Sequence, residues 1–215
     1  KPFRIVYLTN VGGSYNMLGE TLRLTREVLL EVSDFRRENC PLSALTLGVK
    51  CGPSDATSGI AGNPCVGAAF DQLIRAGGTA FFSETTEIIG AEDLVAKRAV
   101  NESVAKKILS AARHWEDKAK ATGEDIRKIN PIPANIAAGI SSLEEKSLGA
   151  IAKSGTSPIQ DVLKYAEMPK GSGLYFVDSW MSSLSLPLCL TACGATIMLY
   201  QMGGGKIAQH PMMPS

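Results

Sequence analysis

Five short apolar, β-branched runs punctuate the chain, with longer stretches of helical spacing between them. The runs are Phe3–Leu8, Leu45–Lys50, Thr79–Phe82, Leu174–Val177 and Thr196–Gln201. Their length and composition predict strands. Leu18, Leu22, Val28, Leu29 and Val32 fall on one face of a helix over about 15–37. Val66, Phe70, Leu73 and Ile74 do the same for a second helix, which Asn63-Pro64 opens as N-cap and first-turn proline and Gly77-Gly78 closes. A charged helical stretch covers about 91–121, and residues from Ser182 to about Cys193 are helical. Ser142 and Glu145 form a capping box for a helix ending near Gly155, and Ser157, Pro158 and Gln160 open another by the same logic. Strands alternating with helices predict an α/β fold: an open, mainly parallel sheet of about five strands, helices on both faces in Rossmann-like layers, and right-handed crossovers. The expected organisation is a single α/β domain over 1–215, with a helical excursion over about 88–170.

Composition narrows the function classes. The 22 basic and 21 acidic residues leave a net charge of +1, which removes the electrostatic case for nucleic acid or an anionic membrane surface. The longest apolar run, Leu186–Tyr200, contains Gly194 and is too short and broken for a membrane span. Five cysteines are an odd number and no disulfide scaffold, so a reducing cytoplasm is the expected location. With two histidines, a Ser-His-Asp or Cys-His mechanism is disfavoured and a three-histidine metal site is excluded. The chain lacks an initiator Met and ends at Met213-Pro214-Ser215, so it is expected to be a domain of a longer protein.

Ligands of an open parallel sheet bind beyond the carboxyl ends of its strands. Every segment leaving a predicted strand is polar or glycine-rich: Asn10–Ser14, Cys51–Ser58, Ser83–Glu87, Asp178–Ser183 and Gln201–Gly205. The second holds the most varied chemistry. Lys50 can act as a base if desolvated, Cys51 offers a thiolate or metal ligand, and Ser54 and Asp55 add a hydroxyl and a carboxylate. Gly52 and Gly59 let backbone amides approach an anion. A structural turn around a small buried cysteine is the alternative. Glu84 and Glu87 can hold a divalent metal or divide acid and base roles, unless Glu87 only caps the next helix. Asp178 is either a functional carboxylate or an N-cap. Cys189 and Cys193 share a helix face among apolar neighbours and read as core, and His114 reads as surface.

The stretch Leu47-Gly48-Val49-Lys50-Cys51-Gly52-Pro53-Ser54-Asp55-Ala56-Thr57-Ser58-Gly59-Ile60, followed by Asn63-Pro64, resembles the KCGGSD-x-x-SGI…NP signature of the altronate and galactarate dehydratases. Ser83-Glu84-Thr85-Thr86-Glu87-Ile88-Ile89-Gly90-Ala91-Glu92 and Leu143-Glu144-Glu145-Lys146-Ser147-Leu148-Gly149 match further blocks in order. Asn130-Pro131 and Lys153-Ser154-Gly155-Thr156 also fit. The resemblance covers nearly the whole chain, as that family's C-terminal domain.

It implies a lyase that removes water from a hexonate or hexarate to give a 2-keto-3-deoxy acid, with a divalent metal, iron(II) or manganese(II). The related sulfolactate sulfo-lyases eliminate sulfite. Carried across, the motif positions put Lys50, Cys51, Ser54, Asp55, Glu84 and Glu87 at the site. Cys51, Asp55 and Glu84 are then expected near metal, and Lys50 near the substrate carboxylate or acting as base. Asn10, Gly52, Asn130, Asp178, Gly203 and Gly204 are expected to bind substrate. The implied partners are a small hydroxy acid, the N-terminal domain of the same enzyme and a homo-oligomeric copy; the fragment alone is expected to be inactive if that domain supplies ligands. Four departures stand out: Pro53 for a usual glycine, Ile136 for a lysine in the proline-rich loop, Asp178-Ser179-Trp180-Met181 for D-T-P-G, and Gly203-Gly204-Gly205 for T-G-R-G. They point away from strict altronate specificity and keep a non-catalytic binding domain open as an alternative.

Overall fold

The computed structural model describes residues 2–204 and 210–215. The chain divides into two compact units, residues 1–40 and 41–215. The first holds α1 (Leu8–Val11) and α2 (Ser14–Ser33), separated by Gly12 in the left-handed region at φ 75°. Neither helix buries a residue. Phe3–Leu8, read as a strand, is irregular chain running into α1, with Phe3, Ile5 and Tyr7 exposed. An apolar run becomes a strand only where a neighbour accepts its backbone hydrogen bonds, and none does here among the described residues.

The second unit is a three-layer α/β fold. Its strands are β1 (Thr46–Cys51), β2 (Thr79–Phe82), β3 (Ile159–Leu163), β4 (Gly173–Val177) and β5 (Ile197–Gln201). They are ordered β3-β4-β2-β1-β5, and every pairing is parallel. β2 and β4 are buried along their whole length, which is why they read as unbroken apolar runs. The helices are α3 (Asn63–Arg75), α4 (Glu92–Ala96), α5 (Glu102–Ala121), α6 (Ile126–Ile129), α7 (Pro133–Ala137), α8 (Leu143–Ile151) and α9 (Ser185–Ala192).

Strand alternation splits the core in two. Val49, Phe82, Leu174 and Phe176 join Phe70 of α3 and Val104 and Ile108 of α5 on one face. Phe81, Tyr175 and Val177 join Leu186, Cys189, Leu190 and Cys193 on the other. Gly48 lets α9 approach β1 closely, since a Cβ there would lie 2.9 Å from Leu190 Cδ1. The expected core cysteines are thus in the core, and His114 is exposed on α5.

β3 forms where the residues from Ser157 predict a helix. Ser157 does not cap a helix, because its hydroxyl and amide are donated to Asp71 of α3. The following Ile-Gln-Asp-Val-Leu pairs with β4 instead, and Pro158 just before an edge strand costs no ladder bond. The capping box at Ser142 forms in part. Its hydroxyl accepts from the Glu145 amide, while the Glu145 carboxylate accepts from Ser141. Asn63 opens α3 but caps nothing: a π-helical turn, Ser58–Gly62, runs straight into it.

Phe176 is fully buried against Phe82 across β2 and β4, with ring centroids 5.0 Å apart. Phe176→Ala should lower unfolding free energy by about 3–5 kcal/mol, read from the midpoint shift in urea at unchanged slope.

Candidate functional site

Because all five strands are parallel, their C-terminal ends meet at one sheet edge. The last residues of β1 are Lys50 and Cys51, opposite Tyr200 and Gln201 of β5. β2 exits into Ser83 and Glu84. Glu84 adopts φ 72°, a left-handed conformation that costs a non-glycine residue about 1–2 kcal/mol.

What holds it there is a buried ion cluster. Glu84, Lys153 and Lys50 are 1%, 2% and 4% exposed. Lys50 Nζ donates to Glu84 Oε1 at 2.6 Å and to its neighbour's carbonyl, Cys51 O, at 2.6 Å. Glu84 Oε2 accepts from the Cys51 amide at 2.9 Å and from Lys153 Nζ. Burial alone would raise the Glu84 pKa, but the charges of Lys153 and Lys50 outweigh it and hold the carboxyl below the ordinary range. Burial likewise opposes charge on Lys153, and Glu84 more than restores it, so the ammonium is kept. Two ammoniums face one carboxylate, leaving one positive charge in excess.

Lys50 and Glu84 of the cluster form the floor of a cavity of about 250 Å³, whose wall includes Gly52, Ser54, Glu87, Asn135, Lys146 and Met181. Glu87 does not cap the next helix; its Oε1 lies 3.4 Å from Lys146 Nζ, both side chains being buried. Lys146 in turn donates to Asn130 Oδ1 at 2.6 Å. The Cys51 thiol lies 3.3 Å from Ser54 Oγ and 3.2 Å from Gln201 Oε1. Asn63 donates to Gly149 O at 2.8 Å, and its buried Oδ1 has no partner among the described residues. A second, largely apolar hollow of about 500 Å³ shares Glu87, Ile132, Lys146 and Met181 with the first and is walled by Trp115 and Trp180.

Of the residues singled out in the sequence, Lys50, Cys51, Gly52, Ser54, Glu84 and Glu87 meet at this cavity. The others serve elsewhere. Asp55 accepts from Thr57 Oγ1 at 2.6 Å and from the Ser58 amide at 3.1 Å, which lowers its pKa and makes it a turn cap beside a neighbouring hollow. Asp178 caps no helix either. It accepts from Thr85 Oγ1 at 2.7 Å and Trp115 Nε1 at 2.8 Å, bracing the loop after β2 against α5. Gly203 and Gly204 both donate their amides to Pro53 O, at 3.1 and 3.4 Å, so those groups are not turned to a ligand. Gly205 lies outside the described residues, and Asn10 lies in α1 of the first unit. Ile136, at the position of the family's lysine, is exposed on α7.

Cys51, Asp55 and Glu84 do not fit a divalent metal in this arrangement. Both Glu84 oxygens are engaged by ammoniums and an amide, and Asp55 is bound within its own turn. Among the described residues no three His, Cys, Asp or Glu side chains are grouped to hold an ion. Lys146 and Lys153 stand in the matched blocks, outside the residues the motifs place at the site. A lysine among small uncharged residues is the one sequence signal that marks Lys153, and burial cannot be read from it.

The family model described as D-galactarate/Altronate dehydratase, C-terminal, matches residues 42–215. The chain belongs to this family. It is 38% identical over 193 residues to the galactarate dehydratase (L-threo-forming) of Escherichia coli, covering 90% of the chain and 37% of that relative. It is 40% identical over 182 residues to an altronate dehydratase of Bacillus subtilis, covering 85% and 36%. It is 35% identical over 206 residues to a (2R)-sulfolactate sulfo-lyase subunit beta of Chromohalobacter salexigens, covering 94% and 52%. The chain therefore spans roughly a third to a half of the length of these curated relatives. None of the described helices is long and apolar enough to cross a membrane.

Glu84→Gln would leave two buried ammoniums without their counter-charge and should cost about 3–5 kcal/mol. Glu84 has its folded pKa below its unfolded value of 4.5, so its contribution is full above that value and lost as pH falls through the lower folded pKa. The gap between wild type and Glu84→Gln in urea unfolding should therefore be wide at neutral pH and narrow under acid. A pH-independent gap would contradict the assignment.

Proposed function

We propose that this family member is the lyase domain of an enzyme that eliminates water from a sugar acid, a hexonate or hexarate, to give a 2-keto-3-deoxy acid. The observation that carries the reading is the excess positive charge at the floor of the cavity. A buried, uncompensated ammonium is costly, and a substrate carboxylate is the group that offsets it. Lys50 lines the cavity and Lys153 sits behind Glu84, so Lys50 is the group that meets the carboxylate.

The C2 proton beside a carboxylate is weakly acidic, and its removal builds charge on the carboxylate oxygens as an enediolate forms. A fixed ammonium stabilises that charge more than it stabilises the ground state. Glu87 and Lys146, buried on the cavity wall, are the acceptor and donor the reaction needs. Glu87 takes the C2 proton. The C3–O bond breaks, Lys146 protonates the departing oxygen, and water leaves. The resulting enol tautomerises to the 2-keto acid. The divalent metal the family implies, iron(II) or manganese(II), finds no fitting donor set among the described residues. A metal belongs to this reading only through ligands from the rest of the enzyme, which also supplies its N-terminal part. The reading further places the enzyme in the cytoplasm, where such small acids are metabolised.

A second reading is elimination of sulfite from a sulfolactate-like substrate. The sulfo-lyase subunit relative aligns over 94% of this chain. A sulfonate leaves with its own electron pair and needs no proton from Lys146.

An anaerobic assay of the full-length enzyme with galactarate, altronate and sulfolactate, reading 2-keto acid and sulfite separately, tests both. Keto acid without sulfite is the expected result; sulfite release would replace it with the second reading. Glu87→Gln should lower kcat by about 100-fold or more. Lys146→Met should do the same for water elimination and lower sulfite elimination less, since sulfite needs no proton from Lys146 although Glu87 still loses its ion-pair partner.

A further inference from the structure

The 152–157 loop is held far more tightly than a connection between a helix and an edge strand requires. Asp71 of α3 accepts the Thr156 amide at 2.9 Å, the Thr156 hydroxyl at 2.8 Å and the Ser157 amide at 2.9 Å, together with the Ser157 hydroxyl. From the other side Arg98 donates to Ser154 Oγ at 2.8 Å, Ser154 O at 3.2 Å and Ser157 O at 3.0 Å. Gly155 adopts φ 67°, and a Cβ there would lie 2.6 Å from Asp71 Oδ1. Gly67 of α3 completes the fit, since its Cβ would lie 2.2 Å from Ala152 O. The single long side chain this clamp presents inward is Lys153, which ends on Glu84 Oε2.

We infer that Lys153 is a positioning residue: by occupying one oxygen of Glu84 it keeps Lys50 from being neutralised and so presents a positive charge to the cavity. The inference deepens the proposed function and rests on it for the identity of the anion. Its physical basis is the stoichiometry of the cluster. Glu84 with Lys50 alone is a neutral pair, its Oε2 left to the Cys51 amide and its charge balanced entirely by Lys50. With Lys153 in place, each ammonium has one carboxylate oxygen, and Lys50 and Glu84 line the cavity with Lys153 outside its lining, so the cluster as a whole presents a net positive charge there. Asp71 and Arg98 act one step further back, by holding the loop that delivers Lys153.

The test measures binding of galactarate and of inorganic sulfate to the full-length protein by calorimetry, with thermal melting recorded on the same samples. Lys153→Met should weaken both anions by about tenfold or more, and Lys153→Arg, which restores the charge, should recover most of that loss. A lower melting temperature with unchanged anion affinity would overturn the inference, because Lys153 would then be only a structural ion-pair partner. Failure of the wild type to bind either anion would overturn it too. Sulfate binding that depends on Lys153, without galactarate binding, supports the positioning role while sinking the sugar-acid reading. If Lys153→Met does not fold, Asp71→Asn carries the test with all three charges of the cluster retained. Anion binding weakened by about threefold supports the inference, and unchanged binding overturns it.

Discussion

One carboxylate, Glu84, is held between two buried ammoniums and a backbone amide, and much of the second unit is arranged to make that possible. A lone buried carboxylate would be protonated or expelled. A buried pair roughly breaks even against its desolvation. A triad with two cations is tolerable only if every proton and lone pair is placed by rigid backbone, and here each of the three side chains comes from a different constrained position. Lys50 is near the end of β1, an interior strand of a parallel sheet, Glu84 sits at a left-handed residue just past a buried strand, and Lys153 hangs from a loop pinned on both sides. The strain at Glu84 and the tightness of the loop are therefore parts of one device rather than separate oddities.

The parallel sheet supplies the convergence. β1 and β2 are neighbours in register, so Lys50 and Cys51 at the end of one and Glu84, two residues past the other, come within reach without any long loop. The same geometry brings Gln201 of β5 beside Cys51. What the sheet cannot supply is a side chain from outside its edge. Lys146 and Lys153 arrive from α8 and the turn after it, and they carry the charges that set the cavity's character.

That division explains what was legible from the residues alone. Strand exits announce themselves because an apolar run ends in polar or small residues, and four of the five expected strands form with their exits at one edge. Phe3–Leu8 failed because periodicity describes what a segment would bury, not whether a neighbour exists to bury it. β3 was missed for a related reason. Ser157-Pro158 looks like a helix start until Asp71, eighty-odd residues earlier, claims the serine. The same long-range contact hid Lys153, since a lysine drawn inward to a carboxylate has the same sequence as one pointing to water. Asp55 and Asp178 both stand where a carboxylate is often chemical; in the structure Asp55 accepts within its own turn, and Asp178 braces the loop after β2 against α5.

The departures from the family signature acquire a pattern once placed. Pro53 is exposed on the cavity wall and uses its carbonyl to accept from Gly203 and Gly204. Ile136 is exposed on α7, outside the cavity wall, whereas its neighbour Asn135 is buried and donates to Ser54 O at 3.1 Å. Trp180 and Met181 wall the apolar hollow beside the cavity rather than its floor. None of the three alters the Lys50–Glu84–Lys153 cluster. In the proposed reaction the floor would bind what every such substrate shares, a carboxylate at the carbon that loses its proton. On that proposal the rim would meet whatever lies beyond, and it is there that this chain differs from the signature, while the charged cluster is left as it is.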